Sequence, residues 1–299
     1  MEQFALATIS HNGAVPAIEI NGEYYDLRVL APELIQNTYG NGLMALFEDW
    51  AASEQALLQL SPGPKALIPD VKTDDFLTPL QYPRKLILGG ANYYEHMWKE
   101  AGRPDFRKET STPVFFLKPP TTTLVGCGKT VKYPAHSSKF DWEIELAVIV
   151  GKRIRNVNTD EALQAVAAYT VGIDLSARDW QMNERHPWKF DLLTGKAFDT
   201  SCPLGPRLVP ARFVNESDLR LRLAVNGATK QDARAADMIW SVAEQLSLLS
   251  VHMTLEPGDV LLTGTPAGVG LFSGEYLRVG DAISAEIEGL GVLQVEVVD

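Results

Sequence analysis

Residues 141–150 read Asp141-Trp142-Glu143-Ile144-Glu145-Leu146-Ala147-Val148-Ile149-Val150, a run with the apolar density of a buried β-strand and two glutamates one residue apart within it. Successive side chains of a strand point to opposite faces, so Glu143 and Glu145 share one face while Trp142, Ile144 and Leu146 take the other. The two Cα atoms are then roughly 6.5–7 Å apart, and carboxylates held that close repel unless a proton or a cation stands between them. Two readings are open. Such a pair can belong to the wet face of a half-exposed strand, as in Glu286-Ile287-Glu288 near the C-terminus. It can also be part of an oxygen-ligand set for a hard divalent ion.

The chain downstream bears on the choice. Asn158-Thr159-Asp160-Glu161 has the pattern of a capping box and predicts a helix through about Tyr169. Thr170-Val171-Gly172-Ile173-Asp174-Leu175 then reads as an apolar strand broken by Asp174. A strand, helix, strand order allows the second strand to lie close to the first, which would bring Asp174 beside the glutamates. Three carboxylates and water suit Mg²⁺, Mn²⁺ or Ca²⁺, and no Cys/His set supports zinc.

Working outward, residues 4–27 alternate apolar and polar around His11-Asn12-Gly13 and Asn21-Gly22, as a small antiparallel meander would. A helical stretch around Leu43 to Leu60 is stopped by Ser61-Pro62-Gly63-Pro64, with a flexible boundary from there to Pro83. Strand-like runs follow at Lys85–Gly90, Leu219–Val225 before Asn226-Gly227, Asp259–Thr263 and Ile283–Val297, and a helix covers roughly Ala235 to Leu249. Helices are few and strand connections non-local. The expected class is α+β, with a mixed, mainly antiparallel β-sandwich or roll over residues 81–299 and a small N-terminal α+β domain over residues 1–80.

A formal net charge of −11 and a sequence pI near 5.0 argue against a nucleic-acid partner and against an anionic membrane surface. Met1-Glu2-Gln3-Phe4-Ala5-Leu6-Ala7 lacks the basic and apolar regions of a signal peptide, so the cytoplasm is the expected compartment. Cys127 and Cys202 show no CxxC spacing and are expected as reduced thiols. The glycines of Thr263-Gly264-Thr265-Pro266-Ala267-Gly268-Val269-Gly270 resemble a phosphate loop only loosely; without a Gly-Lys-Ser/Thr ending they predict no nucleotide site.

Several blocks in order resemble the fumarylacetoacetate hydrolase superfamily: Gly90-Ala91-Asn92-Tyr93 with His96 behind it, Phe115-Phe116-Leu117-Lys118-Pro119, Asp141 to Leu146, Asp174-Leu175-Ser176-Ala177-Arg178-Asp179, Gly195-Lys196-Ala197-Phe198-Asp199-Thr200 and Leu262-Thr263-Gly264-Thr265-Pro266. The resemblance covers most of the chain from about Leu86. It implies that Glu143, Glu145 and Asp174 hold Mg²⁺ or Mn²⁺, that the catalytic domain is a β-sandwich-like roll, and that the protein is a homodimer acting on small 2-oxo or diketo acids.

The resemblance further implies that Arg178, Gln181 and Lys196 donate to a developing oxyanion and that Thr265 offers a hydroxyl to the substrate carboxylate. Arg178 can equally be a structural partner of Asp179 or another carboxylate. A histidine at the position of His96 pairs with an acid to activate water in such hydrolases. Glu100, four residues on, shares its helical face, although the acid three residues on in the family pattern is replaced by Lys99. His136 and His186 are the fallback bases. The polar segment Lys99–Ser111 can be a lid or an ordinary loop. The expected activity is hydrolysis of a carbon–carbon bond in acylpyruvate-type 2,4-diketo acids. The alternatives are an isomerase, hydratase or oxaloacetate decarboxylase on the same site, and a non-catalytic oxo-acid binder.

Overall fold

The strand Ile144–Val150 is buried along its whole length, with one face in each of two core clusters. Ile144, Leu146, Val148 and Val150 pack with Val171, Leu223 and Leu293. Ala147 and Ile149, on the glutamate side, pack with Leu88, Phe47 and Trp50. The computed structural model describes residues 3–37 and 40–299; Met1 and Glu2 of the amino-terminal stretch lie outside them.

The strand lies inside a long sheet. Antiparallel to it run Val166–Ile173 on one side, in register Ile144↔Ile173 and Glu145↔Gly172, and Val260–Leu262 on the other. Beyond Val260–Leu262 come Leu86–Gly90, in parallel, and Val114–Leu117 at the edge. Beyond Val166–Ile173 come Cys202–Pro210 and then the meander Phe4–Ser10, Ala14–Ile20 and Glu23–Asp26, ending on Leu67–Ile68. A second sheet runs Lys129–Lys132, Gly291–Val298, Ala282–Ile287, Arg220–Val225 and Ala228–Arg234. Asn226 and Gly227 both take positive φ, the backbone a two-residue hairpin requires. The architecture is thus mixed α+β, mostly antiparallel and without a closed barrel, as expected. No helix of the described residues is long and apolar enough to cross a membrane.

Three element boundaries differ from the sequence reading. The helix after Asn158 has its capping box but stops at Leu163, because Val166–Ile173 is recruited as a strand buried on both faces. The stretch from Leu43 splits into Met44–Phe47 and Trp50–Leu57, the second helix started by Asp49, whose side chain accepts from Ala52 N. The later helix starts at Val242, where Ser241 and Glu244 form a reciprocal capping box, and runs to His252; Ala235–Asp237 is a separate 3₁₀ turn.

The segment read as a flexible boundary carries structure. Leu67–Ile68 pairs with Glu23–Asp26, Leu77 N donates to Thr8 O, and Gly126 lies under the Phe76–Leu77 backbone. A methyl group on Gly126 would sit 2.5 Å from Phe76 O and 2.7 Å from Leu77 C, whereas one on Gly63 meets nothing within 4 Å. Gly126→Ala should therefore cost about 1–3 kcal/mol in urea unfolding, with Gly63→Ala unchanged or slightly stabilised. Equal midpoints for the two variants would contradict this packing.

Candidate metal centre and catalytic dyad

Glu145 projects from the strand, Glu143 stands just before it, and Asp174 follows the end of the partner strand. Asp174 N donates to Glu143 O at 2.8 Å, which ties the two chain segments together at the site. Ligand oxygens of Glu143, Glu145 and Asp174 lie within 4.8 Å of one another. Glu145 and Asp174 are fully buried and Glu143 is only 6% exposed, which removes the wet-face reading. Glu286 and Glu288, by contrast, are exposed.

Three buried cations answer this charge. Lys196 Nζ lies 2.6 Å from Glu143 Oε2 and 2.5 Å from Asp174 Oδ2. Its position follows from Gly195: a Cβ there would fall 2.5 Å from Gln181 Cα, so only glycine lets the helix Leu192–Lys196 come this near Arg178–Gln181. Arg178 bonds Glu143 Oε1 through Nη2, Asp141 Oδ2 through Nε at 2.8 Å and Gln181 Oε1 through Nη1 at 3.0 Å. Asp179 is not its partner but accepts from Ser137 and Ser138. Lys118 donates to the carbonyls of Ser201 (2.7 Å) and Leu175 (3.1 Å) and meets Asp174 Oδ1 as an ion pair at 2.5 Å.

The carboxylates are unequal. Burial alone would raise the Glu143 carboxyl, but Arg178 and Lys196 outweigh it and bring it down to about 2. Burial raises the Glu145 carboxyl well above the usual range, and the neighbouring charges of Asp174 and Glu143 raise it further. Glu145 Oε2 accepts from Gly264 N at 2.7 Å, and Oε1 is buried without a partner. An all-oxygen donor set with an orphaned carboxylate oxygen fits a hard divalent cation, which Glu143, Glu145 and Asp174 would hold.

The glycine-rich loop after Leu262 serves the protein's own carboxylates. Besides Gly264 on Glu145, Gly268 N donates to Glu100 Oε1 (2.7 Å), and Gly270 N and Leu271 N donate to Asp141 (2.7 and 2.9 Å). Gly268 has φ of +105°, and a side chain there would strike Lys230 O. Thr265 Oγ1 donates to Ile144 O and accepts from Gln231 Nε2, both at 2.8 Å, so its hydroxyl is spent inside the protein. Gln231 also holds Ile144 N and Pro266 O.

The same loop reaches the histidine. His96 and Glu100 lie on a π-helical turn, His96–Glu100, with Nδ1 2.6 Å from Glu100 Oε2. The imidazole is buried against Phe272, ring centroids 5.6 Å apart. Lys99 points away to Glu95. His136 packs on Trp180, and His186 Nδ1 accepts from Trp188 N; neither joins the carboxylate cluster. The segment after the turn is pinned by Lys108 to Glu244 at 2.7 Å and by Phe106 on Trp240. Sequence reasoning gave no role to Lys118 or Asp141. The signal for Lys118 was a lone charge closing the apolar run Phe115-Phe116-Leu117; Asp141, between Lys139 and Glu143, had none of its own.

Comparison with known proteins agrees with this geometry. The family model described as Fumarylacetoacetate (FAA) hydrolase C-terminal matches residues 85–298. The mitochondrial oxaloacetate tautomerase of Homo sapiens is 40% identical over 222 residues, 73% of this chain and 68% of the tautomerase. The solved fumarylacetoacetate hydrolase of Exiguobacterium antarcticum is 30% identical with a TM-score of 0.81, covering 99% of both chains. Fumarylpyruvate hydrolase from Pseudomonas aeruginosa, solved with Mn²⁺ and pyruvate, is 35% identical with a TM-score of 0.64, covering 74% of this chain and 91% of its own. With the carboxylates, their cationic partners and the His96 turn all inside the matched span, the chain belongs to the fumarylacetoacetate hydrolase family.

Proposed function

We propose that the protein is a divalent-metal-dependent hydrolase of acylpyruvate-type 2,4-diketo acids, yielding pyruvate and a carboxylic acid, with Mg²⁺ or Mn²⁺ as the ion. The observation that carries the reading is the part-buried His96–Glu100 pair, joined through residues 263–272 to the carboxylate cluster. A bound divalent ion would supply Lewis acidity to the carboxylate and keto oxygen of a 2-oxo acid.

The side chains supply the rest. Glu100, fixed by Gly268 N, holds the Nδ1–H of His96 and leaves Nε2 as an acceptor. His96 takes a proton from water, whose oxygen adds to the second carbonyl carbon. The bond between carbons 3 and 4 then breaks, its electron pair passing to the pyruvate enolate, and the proton on His96 is returned to carbon 3. Lys196 and Arg178, with Gln181 on its guanidinium, place positive charge where the enolate develops.

A second reading, tautomerisation of oxaloacetate, is supported by the 40% identity to the human tautomerase. It uses the same residues, with His96 moving a proton between carbon 3 and the keto oxygen and no water consumed. We further propose a homodimer, seated on the edge strand Val114–Leu117 and on Leu193, which is 66% exposed on the adjoining helix. Light scattering should give twice the chain mass, and a monomer at micromolar concentration would refute the dimer.

Product analysis with acylpyruvates and Mn²⁺ should show pyruvate release that EDTA stops. Glu143→Ala should abolish it, and full activity of metal-free Glu143→Ala would sink the mechanism. His96→Gln should lower hydrolysis by about 10²–10⁴-fold, with Glu100→Gln in the same direction. Oxaloacetate tautomerisation that survives in His96→Gln while hydrolysis is lost would assign the dyad to water activation. A wild type that tautomerises oxaloacetate and cleaves no acylpyruvate would transfer the assignment to the second reading.

A further inference from the structure

Asp141 is a fourth buried carboxylate beside the metal-ligand candidates, yet its oxygens are engaged elsewhere. Trp142 N (2.8 Å) and Gly270 N (2.7 Å) donate to Oδ1, and Leu271 N (2.9 Å) and Arg178 Nε (2.8 Å) donate to Oδ2. A carboxylate offers about four lone-pair sites, and these donors fill them. Gly270 comes this near only because it lacks a side chain, since a Cβ there would fall 2.7 Å from Asp141 Oδ1. Asp141 is thus fully buried, held by backbone on both oxygens, and left with no acceptor site for an ion or a substrate.

What Asp141 holds in turn is one edge of the Arg178 guanidinium. An arginine facing a single carboxylate frequently closes on both of its oxygens with two parallel N–H···O bonds. Here the two nitrogens of that edge are divided between two carboxylates, Nε going to Asp141 Oδ2 and Nη2 to Glu143 Oε1, while Nη1 goes to Gln181 Oε1. Arg178 therefore grips Glu143 by one oxygen only. The other, Oε2, meets Lys196 instead, at 2.6 Å.

We propose that Asp141 is a positioning residue for the metal site, acting through Arg178: by occupying Nε it limits Arg178 to a single bond on Glu143 and so keeps Glu143 available as a ligand. Released from Asp141, the guanidinium closes on both Glu143 oxygens and draws that carboxylate out of the set it forms with Glu145 and Asp174. The inference rests on the metal site of the reading above and is independent of which reaction follows.

The test is calorimetric titration with Mn²⁺ of the wild type, Asp141→Asn, Arg178→Gln and the double variant. Asp141→Asn should bind Mn²⁺ about 10-fold or more weakly at an unchanged number of sites per chain. Arg178→Gln should bind no more weakly than the wild type, and adding Asp141→Asn to it should change the affinity by no more than about twofold, because the arginine that misplaces Glu143 is gone. A merely structural aspartate would lower the number of sites per chain and leave the affinity of the folded protein unchanged, which would overturn the assignment. So would equal weakening by Asp141→Asn with and without Arg178, which would mean that its charge or its hold on Gly270 and Leu271 acts directly, and so would an Arg178→Gln protein as weak as Asp141→Asn. If Asp141→Asn alone does not fold, a double variant that folds and matches Arg178→Gln still upholds the proposal, and a double variant that does not fold overturns it. A wild type that binds Mn²⁺ and cleaves no acylpyruvate would refute the hydrolase reading and leave Asp141 in place, whereas a wild type that binds no Mn²⁺ would remove both.

Discussion

Carboxylates packed together out of reach of water impose the constraint on which this molecule is built. Asp141, Glu143, Glu145 and Asp174 are all buried, and among the described residues only Lys118, Arg178 and Lys196 are buried beside them as cations. With every group ionised the cluster would keep one uncancelled negative charge. The raised carboxyl of Glu145 shows where the strain collects, and a proton or a divalent ion relieves it. Deleting one of the three cations would leave a further buried carboxylate unpaired, at a cost of about 3–5 kcal/mol. The surrounding architecture can be understood as the means of keeping these charges in place.

The loop from Thr263 to Phe272 is the clearest case. Its backbone amides hold Glu145, Glu100 and Asp141, so one irregular segment sets the position of a metal-ligand candidate, the dyad acid and the anchor of Arg178. Glycines make this feasible, because the close approach to Lys230 at Gly268 and to Asp141 at Gly270 leaves no room for a side chain. Glu100 and the carboxylate cluster are therefore positioned by one stretch of backbone.

Much of this was legible in the sequence, for identifiable reasons. The Glu-x-Glu pair in an apolar run forced a question about charge, and period-two alternation placed both glutamates on one face; the carboxylates do meet, although the strand begins at Ile144 and Glu143 stands just before it. Asp174 followed from the strand order. The helix after Asn158 was overextended because Val166–Ile173 has no local mark of a strand beyond its composition, and its pairing partners are distant in sequence. Lys118 and Asp141 escaped for a related reason: Lys118 is a lone charge closing an apolar run and Asp141 one of three alternating charges, and only tertiary pairing says what each opposes. The glycine-rich loop carries no Gly-Lys-Ser/Thr ending, and its use as a cradle for the protein's own carboxylates depends on contacts no local pattern encodes. The His96–Glu100 pairing was open in the sequence, and the π-helical turn brings the fourth residue on to 2.6 Å.

Glu145, held toward its protonated form by burial and like charge, would complete a divalent-ion site with Glu143 and Asp174. Calorimetric titration of the protein with Mn²⁺ across pH, in two buffers of different ionisation enthalpy, tests it directly. Affinity should rise with pH and about one proton should be released per ion bound, because the ion must displace the proton from Glu145. Binding that is independent of pH and releases no proton, or no binding, would contradict it.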